Sequence, residues 1–240
     1  MWIDDSLLER FEEPVAVSVW VPDKAMVVLG SSNDASLECD VDACAHDGVP
    51  VLRRYGGGGA VVLYPGCIIV SVGMWVRQHF QNDLYFKLCN QSVIDALKIV
   101  SPDTSALVQA GISDIAWSMS SSMAGGQGKK VAGTSLFRSR NYLLYQASLI
   151  VDLNTDLISR YLRHPSKEPA YRAGRKHEDF LIGLSSLMTG SKEEDAQAGP
   201  VAASLKRNLS DVIRTTFGSE AISPCPEQFD ALRARVQRAL

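Results

Sequence analysis

The sequence has no uninterrupted apolar run of the ~18–20 residues that a bilayer-crossing helix needs. Nor does it begin like a secretory leader: MWIDDSLLERFEEP is acidic and has no basic segment ahead of an apolar one. No membrane association is therefore expected, and the expected compartment is the cytoplasm. Cysteine is sparse. Five residues, Cys39, Cys44, Cys67, Cys89 and Cys225, stand at wide spacings with no CxxC pair. That pattern suits a reducing compartment and argues against a zinc ribbon or a thioredoxin-type site. The four histidines, His46, His79, His164 and His177, are isolated, with no HExxH spacing, and no metal centre is expected. An excess of one charge is also lacking. Lys and Arg number 24 against 27 Asp and Glu, a formal net charge of −3, so the basic face of a nucleic-acid protein is not foreseen. What is present is the ordinary mixture of a folded soluble protein: 240 residues, 46% hydrophobic and 21% charged, with no internal repeat.

Hydrophobic spacing divides the chain into short elements. Alternation over Pro14–Trp20 predicts a strand, and Ala25–Gly30 a second. Asp34 or Ser36 caps an expected helix bearing Leu37, Val41, Cys44 and Ala45, which stops near Gly48. Val49–Arg53 reads as a strand. Ala60–Tyr64 and Cys67–Met74, parted by Pro65-Gly66, read as a hairpin. Helical spacing of Leu84, Leu88, Val93, Leu97 and Val100 follows a cap at Asn82 or Asp83. Asp114–Trp117, Lys130–Phe137 and Tyr142–Asp152 return as strands, and the last two are separated from what precedes them by a small-residue loop at Ser118–Gly128. Asn154 caps a helix reaching Pro165, Ser166–Asp179 is a charged loop, and two amphipathic helices start at Pro200 and near Pro226. Strands and helices do not alternate regularly. The expected class is α+β, with a mainly antiparallel or mixed sheet and flanking helices. Residues 1–188 are expected to form one catalytic domain. Residues 189–240, opening on the linker-like Thr189–Pro200, are expected to be its helical extension, being too short for a second core.

Two segments carry chemistry. In Arg53-Arg54-Tyr55-Gly56-Gly57-Gly58-Gly59-Ala60-Val61, four glycines leave room for a ligand against the main chain and permit positive φ. The arginines add fixed charge suited to phosphate or carboxylate. A plain glycine hairpin beside exposed arginines is the alternative. In Lys129-Lys130-Val131-Ala132-Gly133-Thr134, a lysine leads a strand of small residues, against which a ligand can lie close; a surface lysine on an edge strand is the alternative. Neither segment fits a Walker A or a dinucleotide fingerprint.

Taken in order, the segments resemble the lipoate–protein ligase branch of the biotin/lipoyl protein ligase superfamily. That family has an RR-x-x-GGGAV segment, matched at Arg53–Val61, and a later K-V-x-G-x strand, matched at Lys130–Thr134. Trp20, Val27-Val28-Leu29-Gly30, Asn33 and Glu38-Cys39 match upstream features. Gly111–Ile115 resembles its G-R-N-D-I segment with Ser113 in place of N, and Leu149–Leu153 its LLLN-x-DL strand. Two departures stand out: Gln146-Ala147 where the family has His-Gly, and Tyr64-Pro65 where it has His-Asp.

The resemblance implies a biotin/lipoyl ligase-like fold. It also implies formation of lipoyl-AMP from lipoate and ATP, with Mg, and then transfer to a carrier lysine. By the same resemblance Lys130 is the catalytic residue. Arg54, Gly58, Gly59, Ala60, Val61, Val62, Asp114, Val131 and Ala132 hold the nucleotide, and Arg172, Arg175 and Lys176 belong to a loop that caps it. Val15–Val19 and Cys67–Met74 are candidate walls for an acyl tunnel, although core packing is their default role. The implied partners are a lipoyl domain or a glycine-cleavage H-like protein, with a separate accessory-domain polypeptide as a further possibility. The alternatives are an octanoyltransferase working without ATP through a cysteine nucleophile, and an adenylate-binding half-enzyme. Cys67 is the one cysteine near the glycine segment; Cys39, Cys44 and Cys89 read as buried structural thiols.

Overall fold

The computed structural model describes residues 14–77, 81–118, 128–188 and 196–217, with Ala221, Ser223 and Leu232. Two sheets organise it. The larger has six strands in the order β1 (Val15–Trp20), β5 (Cys67–Trp75), β9 (Tyr142–Ile150), β8 (Lys129–Ser139), β7 (Asp114–Trp117) and β6 (Leu107–Ala110). All its pairings are antiparallel. The smaller has three: β3 (Val51–Arg53), β2 (Met26–Leu29) and β4 (Val61–Leu63), with β2–β3 parallel and β2–β4 antiparallel. The expected α+β class is what the chain adopts.

Alternation in the large sheet sends two sets of side chains to opposite faces. Ile68, Val70, Val72 and Met74 of β5 and Leu143, Tyr145, Ala147 and Leu149 of β9 enter the main core. That core is closed by the long helix Asn82–Val100 and by the helix Ala198–Phe217, which inserts Val201, Leu205, Leu209, Ile213 and Phe217. The C-terminal helix thus shares its core with residues far upstream. On the other face, Trp20, Cys67, Ile69 and Ile150 pack with the small sheet. Ala16, Trp75, Tyr142, Leu144 and Phe137 form a separate cluster with Tyr55 at the opposite end of the strands.

Three expectations need correcting. The strands around Pro65-Gly66 are not a hairpin. The turn exists, with the Cys67 N–H donating to Tyr64 O at 2.8 Å, but β4 pairs with β2 and β5 with β1 and β9. The turn is therefore a crossover between sheets. The helix after Asp34 is two short ones, Ala35–Glu38 and Val41–His46, because Asp34 and then Asp40 each cap a first turn with a side-chain oxygen. The long helix begins at Asn82, with Gln81 as its N-cap and no side-chain cap bond. Strand β6 has no forerunner in the sequence reading. The helix near Pro226, Cys225 and His79 lie outside the described residues.

An ion-pair cluster joins the two sides of the small sheet's helical cover. Arg160, on the helix Thr155–Tyr161, donates to Asp47 through Nε at 2.5 Å and Nη2 at 2.9 Å, and the Tyr161 hydroxyl donates to Asp47 at 2.9 Å. The bonds from Arg160 and then Tyr161 lower the Asp47 pKa from 3.8 to about 2. A carboxylate held below its unfolded value adds stability above that value and loses it as pH falls through the folded one. The melting-temperature gap between wild type and Asp47→Asn should therefore be full above about pH 4 and close on acidification towards pH 2. A gap unchanged over that range in a thermal melt series would remove the charge on Asp47 from the fold's support.

Candidate active site

Between its two apolar clusters, the open face of the large sheet carries a polar band. The register aligns Ser18, Ser71, Gln146 and Ser135 across β1, β5, β9 and β8. Gly133 and Ser148 pair one step along. These side chains project opposite to the main core, and the Gln146 amide donates to Ser71 Oγ at 3.4 Å. The signal was present in the sequence, as single polar residues inside the apolar runs VAVSVW, CIIVSVGMW and YLLYQASLI. Sequence reasoning did not draw on it.

Lys130 reaches this face through an irregularity. Ile115 pairs with Ala132 but Ala116 with Lys130, so Val131 is an extra residue on β8. Val131 and Ala132 consequently both turn into the main core, and both are fully buried. Lys130 turns to the open face, where a Cβ on Gly133 would lie 3.0 Å from its Nζ. Without the bulge, alternation would aim Lys130 at the helices. Lys130 Nζ lies 2.9 Å from Asp114 Oδ1, with side-chain exposures of 22% and 10%. The other oxygen, Asp114 Oδ2, accepts from the Tyr171 hydroxyl at 2.8 Å.

The glycine segment crosses the same face. A Cβ on Gly56 would lie 2.8 Å from Ser135 Oγ, and a Cβ on Gly30 would lie 2.1 Å from Gly58 O, so the main chain passes close at both points. Gly58 has φ +100, the conformation that calls for glycine. Gly57 and Gly59 have open space where a Cβ would stand. A ligand can approach the main chain there. Ala60 and Val61 are half-buried beyond the loop, and Val62 is buried in the small-sheet cluster. With Val131 and Ala132 in the core, contact of any of these three with a nucleotide is left to main-chain groups.

Both arginines reach main-chain carbonyls. Arg54 is buried, and its Nη2 donates to Gly57 O and Gly59 O, each at 2.8 Å. Its fork braces the loop from within. Arg53 Nη1 likewise donates to Gly30 O at 2.7 Å and Asn33 O at 2.9 Å.

The charged loop 163–181 lies against the site with more order than its composition suggested. It contains a 3-10 turn at Ala170–Arg172 and a short helix at His177–Phe180. Arg172 is buried, with Nε 3.4 Å from Glu168. The Arg172 and Arg175 guanidinium carbons lie 4.9 and 5.2 Å from the Phe180 ring centre. Arg175 Nη2 donates to Tyr171 O at 2.7 Å and to Gly128 O at 3.0 Å. The Lys176 side chain is 81% exposed, 3.9 Å from Glu178. Burial, then the charges of Arg172, His164 and Lys130, push the His177 pKa down to about 4, which leaves the ring neutral near pH 7. His177 belongs to the loop's basic residues, whereas Tyr171 was missed, since nothing local distinguishes it in the sequence.

Among the described residues the thiols are poor nucleophiles. Cys67 is packed in the small-sheet cluster, away from the polar band, and burial raises its pKa to about 12. Burial likewise raises Cys44 to about 11 and lifts Cys39 and Cys89.

The fold is that of an α+β catalytic domain, with two sheets of three and six strands. A family model described as the lipoyl protein ligase A/B catalytic domain matches residues 1–197, and the chain belongs to that family. It is 25% identical over 199 residues to lipoate-protein ligase A subunit 1 of Thermoplasma acidophilum, covering 82% of this chain and 72% of that protein. The bi-partite lipoate protein ligase of the same organism, described with its E2 lipoyl domain, has a TM-score of 0.69. It is 18% identical, over 97% of this chain and 84% of that one. A lipoate-protein ligase A bound with ATP has a TM-score of 0.64, at 20% identity over 97% and 86%. At such identities the structural likeness shows a shared fold.

Arg54→Lys separates charge from bracing. Lysine keeps the charge but lacks the fork that reaches Gly57 O and Gly59 O together. We expect ATP affinity to fall about tenfold and the melting temperature to drop, by about 2–4 °C per kcal/mol lost. Unchanged calorimetric affinity and melting would mean that the fork is dispensable.

Proposed function

We propose that this protein is an ATP-dependent lipoate–protein ligase acting at the open face between Lys130 and the glycine loop. The observation that carries the reading is the bulge at Val131, which brings Lys130 onto the face that the glycine loop crosses. In the first step a lipoate carboxylate oxygen attacks the α-phosphorus of ATP. The new O–P bond forms as the bond to pyrophosphate breaks, giving lipoyl-AMP. Two anions must meet, and a compact ammonium between them stabilises the charge that builds up. Lys130 supplies it, with one side of the ammonium on Asp114 and the rest free to face substrate. The open main chain at Gly57–Gly59 receives phosphate oxygens, with Mg arriving on the nucleotide. Asp114 engages Lys130 through Oδ1 and Tyr171 through Oδ2, and so holds the ammonium in place. Arg172 and Arg175 shape the capping loop; Lys176 stands at its outer edge. In the second step an uncharged carrier lysine attacks the acyl carbonyl and AMP leaves.

The partner we propose is a lipoyl domain or a glycine-cleavage H-like protein. Residues 1–188 would form the catalytic domain and residues 189–240 its helical extension. The half-enzyme reading, in which a second polypeptide completes transfer, draws support from the Thermoplasma relative, which is named as a subunit and described as bi-partite. The buried, high-pKa thiols speak against the octanoyltransferase alternative.

Lys130→Ala should lower lipoate-dependent pyrophosphate release by about 10²–10³ while melting normally. Activity within a few fold of wild type would take Lys130 out of the mechanism. Cys67→Ser should keep most of the wild-type rate. An acyl adduct on any cysteine, seen by intact mass spectrometry after incubation with an acyl-carrier thioester, would instead favour the octanoyltransferase.

A further inference from the structure

Asp114 divides its two oxygens between two elements. Oδ1 meets Lys130 Nζ at 2.9 Å and Oδ2 accepts the Tyr171 hydroxyl at 2.8 Å. Tyr171 comes from the loop, not from the sheet. Its ring packs on Phe180 with centroids 5.1 Å apart, and the Arg172 and Arg175 guanidiniums flank Phe180 in turn. The ring is therefore held by its own neighbours. The loop is pinned to the start of β8 independently, by Arg175 Nη2 on Gly128 O at 3.0 Å and by Ile182 N–H on Lys130 O at 3.0 Å. The Tyr171 hydroxyl is not needed to hold the loop down. Burial, with the Asp114 charge next, raises the Tyr171 pKa, so the hydroxyl stays protonated and acts as a donor.

We infer that Tyr171 is a positioning residue for the adenylation step: by occupying Asp114 Oδ2 it keeps that carboxylate from chelating Lys130 with both oxygens. This rests on the ligase reading given above. A carboxylate has two oxygens on one rotatable bond, and an ammonium has three donors. With Oδ2 engaged by Tyr171, Lys130 gives one donor to Asp114 and keeps the others for the carboxylate and phosphate of the substrates. With Oδ2 released, the carboxylate turns both oxygens on Lys130, neutralises more of its charge and draws it back from the open face. The loop thereby sets how much of the lysine's charge the substrates meet, although Tyr171 acts only through Asp114.

The test compares wild type with Tyr171→Phe, which keeps the ring and its packing on Phe180. Two readouts are taken on the full chain: steady-state pyrophosphate release with lipoate and varied ATP, and acetylation of Lys130 by acetic anhydride at fixed pH. Acetylation is mapped by mass spectrometry against the half-exposed Lys98, which is remote in sequence from the site. We expect kcat to fall about 10- to 100-fold, the range for losing one hydrogen bond to a charged group, with KM for ATP within about twofold. Lys130 acetylation should drop several-fold relative to Lys98, because a chelated ammonium is shielded from the reagent. An unchanged kcat, or a change confined to KM, overturns the inference; so does unchanged acetylation. If wild type itself releases no pyrophosphate, the ligase reading falls, while the acetylation contrast still decides whether Tyr171 governs the Asp114–Lys130 pair.

Discussion

One extra residue in β8 decides which face of the large sheet Lys130 occupies. A strand alternates its side chains, so a regular β8 carrying Gly133, Ser135 and Phe137 on the open face would have to carry Val131 there too and bury Lys130. The bulge at Val131 lets two apolar neighbours, Val131 and Ala132, share the core and releases Lys130 to the other side. Asp114, on β7 across the same bulge, completes the pair. The core gains a valine and the site gains a cation from the same backbone deviation. Other features of the site build upon it: the polar band is a floor, the glycine loop a roof, and loop 163–181 a side wall.

The roof is a tight piece of chain held from beneath. Gly58 stands at φ +100, and its carbonyl comes so close to Gly30 that a side chain on Gly30 would collide. Arg54 and Arg53 satisfy main-chain carbonyls on either side of this contact. Polar main chain turned inward needs partners, and a guanidinium supplies several donors in one plane. Two arginines beside four glycines thus answer two needs: the glycines allow close approach, and the arginines hold the resulting carbonyls in place.

Much of this is legible in the sequence. Most strands followed from alternation, the capping role of Asn154 from its residue type, and the candidate lysine and glycines from ordered motifs. What was not legible has one cause. Pro65-Gly66 correctly marks a turn, but no local signal says whether the next strand pairs with the previous one or leaves for another sheet. Arg54 carries the charge a phosphate needs, yet whether its fork faces outwards depends on carbonyls brought close by tertiary contacts. Tyr171 lies 57 residues from its partner Asp114, and only the folded chain joins them. Periodicity reports which face a residue prefers; it does not report a bulge that reverses the preference for one residue.

The crossover at Pro65-Gly66 has a mechanical consequence. Two sheets linked by a free tether would rock against each other. Here the link is cross-braced: the Tyr64 hydroxyl donates to Asp152 O at 2.8 Å and accepts from the Asn154 N–H at 3.1 Å. Gly66 sits where a side chain would strike both the Tyr64 ring and Asp152 O. The junction resists shear, so the glycine roof rides rigidly on the large sheet.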